Sequence, residues 1–177
     1  MTEKVFLPFY SGVSALIYFA VMFLIFAVPV LFITQAKASP DFRLDSVEVS
    51  PADGTDAFFT SSGKSADGWY KIVYHMNVGS KKSSPYSYTV EDFALKDPED
   101  FIKTGNYAVF LDEPLSFSST QRDDFVLTLY AGGFADETAA KEFAGKAAFG
   151  TRGISRNFSF FKERIMVYVP GFAVGDL

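Results

Sequence analysis

The hydrophobic pattern divides the chain near residue 38. Before it, Val13 to Ile33 (VSALIYFAVMFLIFAVPVLFI) is apolar at every helical angle, and no charge occurs between Lys4 and Lys37. A helix apolar all round does not lie on a protein surface. At about 1.5 Å per residue the run is roughly 32 Å long, close to the thickness of a bilayer's hydrocarbon core. The pattern predicts one transmembrane helix in an N-terminal region, 1–38, and a separate domain, 39–177. Pro29 is placed to kink the last turns, which membrane helices tolerate. Phe9 and Tyr10 are placed for the near interface. Ala20 and Ala27, seven apart, offer a small-residue seam for another helix. Ala36-Lys37-Ala38 has the form of a signal-peptide cleavage site, but the apolar run exceeds the roughly 7–15 residues of a signal core, so an uncleaved anchor is expected. Lys4 before the run and Lys37 and Arg43 after it nearly balance. The expected orientation, N-terminus inside and domain outside, follows from the short head and the strand-rich body.

After the run the period changes to two. Ser39-Pro40-Asp41 breaks the helix. Phe42 to Ser50 alternates, with Val47 and Val49 on one face, and reads as a strand. Pro51 to Gly68 reads as a polar loop interrupted by Phe58 and Phe59. Trp69 to Val78 is the clearest strand. Tyr70, Ile72, Tyr74, Met76 and Val78 form its core face; Trp69, Lys71, Val73, His75 and Asn77 form a mixed face toward solvent. Tyr86–Val90 and Asp92–Leu95 read as two further strands. Asp97–Gly105 is an acidic loop, and Asn106–Asp112 is a strand broken by Pro114. Ser118–Asp124 is a turn and Phe125–Tyr130 a strand ended by Gly132-Gly133. Ala135–Phe149 departs from this pattern. Asp136 can cap a helix, Ala139, Ala140, Phe143 and Ala147 recur at helical spacing, and Gly150 and Gly153 stop it. Its narrow stripe suits a helix docked on the sheet. Arg156–Val169 reads as one long strand, or two joined at Lys162-Glu163, and Pro170-Gly171 ends the ordered part. Seven or eight short strands with polar turns and one late helix predict an antiparallel sandwich.

Composition narrows the function. The net charge of −5 lies outside the first 35 residues, which hold only Glu3 and Lys4. A pI near 4.9 argues against nucleic acid and anionic lipid surfaces as partners. The chain has no cysteine, which excludes disulfides, thiolate chemistry and cysteine-ligated metals. Its one histidine, His75, leaves no paired-histidine site and reads as a surface side chain. Asp53, Asp56 and Asp67 do not follow calcium-loop spacing. There is no phosphate-binding glycine loop and no nucleophile elbow. Asp123-Asp124 and Glu99-Asp100 fall in predicted turns, where acids serve solubility. Asn157-Phe158-Ser159 is a glycosylation sequon, relevant only on a eukaryotic secretory route.

The run Tyr70-x-Ile72-x-Tyr74-x-Met76-Asn77, followed by Asp92-Phe93-x-Leu95-x-Asp97, resembles the early strands of telokin-like, immunoglobulin-type domains of bacterial membrane-anchored surface proteins. The resemblance covers about 30 residues and implies an immunoglobulin-like sandwich, anchored by a lipid or one N-terminal helix and without known activity. The chain departs from the pattern in lacking the lipid-bearing cysteine and the Pro-Gly turn before a later strand, and in carrying the helix near Phe143.

The sequence therefore predicts a mainly β, immunoglobulin-like antiparallel β-sandwich with one short late helix, preceded by a transmembrane helix. The expected partners are the bilayer, through Val13–Ile33, and other proteins. The domain is expected to be extracytoplasmic and to act in interaction or support rather than catalysis. The alternative is an accessory subunit of a larger membrane complex. No catalytic, cofactor-binding or metal-ligating residue is assigned.

Overall fold

In the computed structural model the apolar run is helical over Phe6–Gln35 (α1), longer at both ends than the predicted span. The structure describes residues 6–35, 39–81, 87–96, 106–118, 121–157, 164–166 and 169–177, with the side chains of 6–11, 28–35, 153–157 and 164–166 left aside. Two compact units result, Met1–Lys37 and Ala38–Leu177. Phe9, Tyr10 and Pro29 fall outside the described side chains. The described side chains of α1, 12–27, form a stretch shorter than the about 20 residues a span requires. Among the described residues no helix is long and apolar enough to cross a membrane.

The second unit is mainly β. Its strands are β1 (Pro40–Pro51), β2 (Trp69–Ser80), β3 (Ser87–Leu95), β4 (Tyr107–Leu111), β5 (Leu115–Phe117), β6 (Asp123–Gly132), β7 (Ala148–Asn157), β8 (Arg164–Met166) and β9 (Phe172–Ala173). One sheet has the order β1-β2-β6-β4, the other β5-β3-β7-β8, with β9 paired to β7. All pairings are antiparallel.

The core lies between the sheets. From β2 come Ile72, Tyr74, Met76 and Val78, each almost fully buried as the alternation predicts; Tyr70 is only half-buried. On β6 they face Leu129, Leu127 and Phe125. The other sheet supplies Val90, Phe93, Leu95, Leu115, Phe117 and Phe149. Rings cross the interface: Phe93 stacks on Phe125 at 5.8 Å, and Tyr74 meets Phe149 edge-on at 5.3 Å. Such pairs contribute beyond their buried area.

Several expected elements differ. The strands expected over 86–90 and 92–95 are, over the described residues Ser87–Leu95, one strand, β3, whose buried residues change phase between Val90 and Phe93; Tyr86 lies outside the described residues. The register with β7 runs through unbroken, Val90 opposite Ile154 and Asp92 opposite Arg152. In β1 a bulge at Asp45 does the same, so Phe42 and Leu44 and then Val47 and Val49 turn inward. The predicted loop 51–68 contains a helix, α2 (Ala57–Ser62), closed by Gly63 at φ 67°. Leu115–Phe117, not foreseen, forms β5. The late helix, α3, is shorter than expected, Glu137–Lys146, because Ala148 and Phe149 are drawn into β7; Gly150 and Gly153 lie within that strand instead of stopping the helix. Of the two readings of 156–169, one long strand or two joined at Lys162-Glu163, the second agrees with the strands described, the end of β7 and the short β8; Lys162 and Glu163 lie outside the described residues.

α3 is part of the fold. The Asp136 carboxylate accepts from the Ala139 amide at 2.9 Å, capping the first turn. Ala140, Phe143, Ala144 and Ala147 are buried, while Ala139 is half-buried. The Tyr74 hydroxyl donates to the Ala144 carbonyl at 3.0 Å, satisfying an acceptor that the last helical turn leaves open. Burial holds that phenol neutral, well above its ordinary pKa. Order also continues past Pro170-Gly171: Phe172 and Val174 are buried, and a 3₁₀ turn spans Val174–Asp176. Gly171 makes this closure possible, since a Cβ there would stand 1.7 Å from the Phe149 carbonyl oxygen.

Two outcomes are expected in full-length protein held in detergent. Phe143→Ala should cost roughly 3–5 kcal/mol by denaturant titration, the loss expected of a buried aromatic ring. Gly171→Ala must displace backbone and should cost at least about 1–3 kcal/mol. A parent-like midpoint in either variant would show that α3 or the C-terminal closure is not docked as described.

Candidate functional site

The outer face of β2 is not simply solvent-facing. α2 covers its first rows. Phe59 is buried, and Phe58 lies 5.6 Å from Trp69, 5.3 Å from Tyr130 in a near-parallel stack, and 5.7 Å from Phe110. Lys71, expected to be free in solvent, donates to Asp56 Oδ1 at 3.0 Å and stands 5.7 Å over the Tyr130 ring. Lys64 Nζ stands 5.2 Å over Trp69 and 5.7 Å over Phe58. The second Asp56 oxygen is buried without a hydrogen-bond partner. The bond to Asp56 holds the Lys71 ammonium above its ordinary pKa, and burial raises that of the Tyr130 phenol.

Beyond α2 the register lays out successive rows on this face. Val73 is opposite Thr128, which is opposite Phe110 on β4; His75 is opposite Val126, and Asn77 opposite Asp124. A trough of about 610 Å³ is lined by Phe58, Lys71, Val73, Phe110, Thr128 and Tyr130. Leu111 and Asp112 line it too, and they also line a second hollow of about 460 Å³ bordered by Asp45, His75, Glu113, Asp123, Asp124 and Val126. Volumes of this order suit a small ligand or a few side chains of a partner.

The residues singled out in sequence are distributed as follows. His75 is half-buried on the hollow's wall, 3.7 Å from Glu48. Asp123 and Asp124 belong to β6, not to a turn, and reach the same hollow as His75. Asp53, Asp56 and Asp67 do not converge. Asp53 accepts from the Thr55 amide, Asp56 pairs with Lys71, and Asp67 accepts from Ser65. Among the described residues no group of three or more acids and histidines is placed to hold a metal ion. Glu99, Asp100 and the side chains of the Asn157 sequon lie outside the described residues. Sequence reasoning missed Phe58, Phe110 and Tyr130 as one cluster. The available signal was an apolar pair, Phe58-Phe59, inside an otherwise polar loop.

A polar clamp closes the far end of the same face. Arg122 donates through Nε to Asn77 Oδ1 at 2.9 Å and through Nη1 to Asp41 Oδ2 at 2.8 Å. Its Nη2 also reaches the Asp41 carbonyl at 3.0 Å. Asn77 Nδ2 donates to both oxygens of the bulged Asp45 at 3.1 Å. The start of β1 is thereby tied to β2 and to the turn before β6. The Arg122 hydrogen bond holds the Asp41 carboxyl below its ordinary 3.8.

Lys71→Ala should cost about 1–2 kcal/mol by leaving Asp56 without its donor. Adding Asp56→Asn should recover part of that loss, and strict additivity of the two changes would rule out their coupling. For the clamp, the folded pKa of Asp41 is depressed. Its contribution is therefore full above the unfolded value and is lost as pH falls through the folded one. Arg122 and Asp41 are 37% and 27% exposed, so Arg122→Ala should cost only about 1 kcal/mol at pH 7. The cost should shrink when stability is measured near pH 2, and one independent of pH would overturn this account. Comparison of the chain with family models, curated proteins and solved structures found no match.

Proposed function

We propose that the protein is a single-pass membrane protein whose β domain is displayed on the extracytoplasmic side as a non-catalytic module for binding or supporting other proteins. The observation that carries the anchor is the exposure of α1 on every side. Leu16, Ile17, Tyr18 and Phe19 are 72%, 58%, 62% and 72% exposed, and four successive helical positions sweep about 300°. Phe23, Leu24, Ile25 and Phe26 repeat this with 69%, 58%, 55% and 62%. In water that surface would be strongly unfavourable; in a bilayer it is the ordinary surface of a helix.

The strand order supports the immunoglobulin-like reading. If β1, β2, β4 and β6 stand for A, B, D and E, the first sheet has the order A-B-E-D; β3, β7 and β8 then give C-F-G in the second. The chain departs from that plan in adding β9 beside β7, in the helix α3 between β6 and β7, and in the place of β5. β4, in the D position, precedes β5, which lies beside β3 where a C′ strand would lie. The resemblance carried by Tyr70 to Asn77 and Asp92 to Leu95 agrees with this reading. The accessory-subunit reading rests on the surface of α1 itself, where the small Ala20 stands among Leu16, Phe19, Phe23 and Phe26. A neighbouring helix can pack closely at a small residue such as Ala20.

Alkaline extraction of membranes is expected to leave the full chain in the membrane fraction, and protease added to intact cells is expected to degrade the β domain. Release at high pH would sink the anchor; full protection in intact cells, with digestion after lysis, would reverse the orientation. Ala20→Phe should leave membrane retention unchanged. If it also strips co-purified proteins after mild solubilisation, the accessory-subunit reading is the correct one.

A further inference from the structure

The outer face of the first sheet is covered unevenly. α2 lies over the rows of Lys71 and Tyr130. In the next row Thr128 is buried and Phe110, beside Phe58, is 41% exposed; among the described residues no element lies over the row of His75–Val126. The border of this uncovered half is acidic: Asp112, Glu113, Asp123 and Asp124, with Asp45 at the edge. None of the ion pairs among the described residues involves Asp112, Glu113, Asp123 or Asp124. The basic groups lining the trough and hollow are Lys71, held by Asp56, and His75, beside Glu48.

We infer that this face, from Phe58 and Phe110 to Asp123 and Asp124, docks an extended basic segment of another protein through one apolar anchor and a following pair of cations. The anchor lies in the trough beside the packed rings of Phe58, Phe110 and Tyr130, over Val73 and Thr128. The cations lie over the acids of the adjoining hollow. Charge selects this occupant. A second copy of the chain, at net charge −5, brings like charges, and an anionic lipid surface is repelled in the same way. A basic segment meets opposite charge along the acidic border and aromatic faces at the other end. The register sets the spacing. Thr128 and Asp124 lie four residues apart on β6, roughly 13 Å at about 3.3 Å per residue. An extended peptide covers that distance in about four residues. The recognised pattern is therefore one large apolar residue followed, about four positions later, by Arg or Lys.

This inference rests on the reading of the domain as a protein-binding module. The test uses the full chain in nanodiscs of zwitterionic lipid. The probe is a synthetic tryptophan-free peptide with one Phe and an Arg-Lys pair four residues later. Two control peptides replace the basic pair by Glu-Glu or the Phe by Ser. The chain has one tryptophan, Trp69, in contact with Phe58, so its fluorescence reports on the trough. Saturable binding is expected, weakening with salt, and about tenfold weaker or worse for each control peptide. Phe110→Ala and the pair Asp123→Asn with Asp124→Asn should each weaken binding by a similar factor without moving the melting temperature; a shifted melt for Phe110→Ala leaves the test to the carboxylate pair and the Ser control peptide. No saturable binding, equal binding of the acidic peptide, or binding indifferent to the Phe of the peptide would overturn the inference. Membrane retention and protease access are separate measurements, so failure here is distinguishable from failure of the anchor.

Discussion

Everything in the β domain depends on β2 being packed along its inner face and, under α2, over the first rows of its outer face. Its inner residues, Ile72, Tyr74, Met76 and Val78, face the second sheet. Its outer residues carry Lys71 under α2, then Val73 and His75. β1 and β6 flank it along nearly its whole length. From this one strand three further elements take their places. Tyr74 fixes the end of α3 through the Ala144 carbonyl, Lys71 fixes α2 through Asp56, and Asn77 fixes the start of β1 through Arg122 and Asp45. Removing a polar partner at any of these points leaves a group that was matched to it.

The inner face of β2 was legible because alternation reports one buried side well. The outer face was not. Lys71 and His75 have the composition of a solvated face, and only the long-range pairing of Lys71 with Asp56, fifteen residues earlier, draws Lys71 partly out of water. Likewise Phe58-Phe59 sits among Asp, Gly and Ser, and a six-residue helix has too few turns to show a period. Its stability comes from docking rather than propensity. The candidate site is built from these two unreadable pieces, which is why it does not appear in the sequence.

Phase slips account for most of the other differences. At Asp45 a bulge adds a residue, so inward positions change from even to odd along one strand. In β3 the inward set changes between Val90 and Phe93 while the ladder with β7 is kept. A period-two reading must divide such a strand in two. The C-terminus fails for a different reason. Pro170-Gly171 has the composition of a turn, but Gly171 is needed for close approach to the backbone at Phe149, and the residues after it complete the core. Sequence alone does not distinguish a glycine that ends order from one that permits contact.

The edges of the sheets bear on how such a domain meets a partner. Among the described residues β1 is the one long edge, and it is protected by proline at both ends, by Arg43, Asp45 and Glu48, and by its bulge. The opposite edge of that sheet, β4, has five residues, and β5 and β8, the outer strands of the second sheet, have three each. Short edges offer little ladder to an incoming strand. If the domain is held at a bilayer surface, as proposed, it meets neighbours at high local concentration, where a long bare edge would favour self-pairing. With the edges shortened or charged, the apolar surface left for recognition is a face. On the proposed reading, binding there proceeds through side chains, Phe110 and the carboxylates beside it, rather than through backbone addition. Specificity then comes from the spacing of rows on the sheet, and this geometry sets the pattern of anchor and charge a partner must carry.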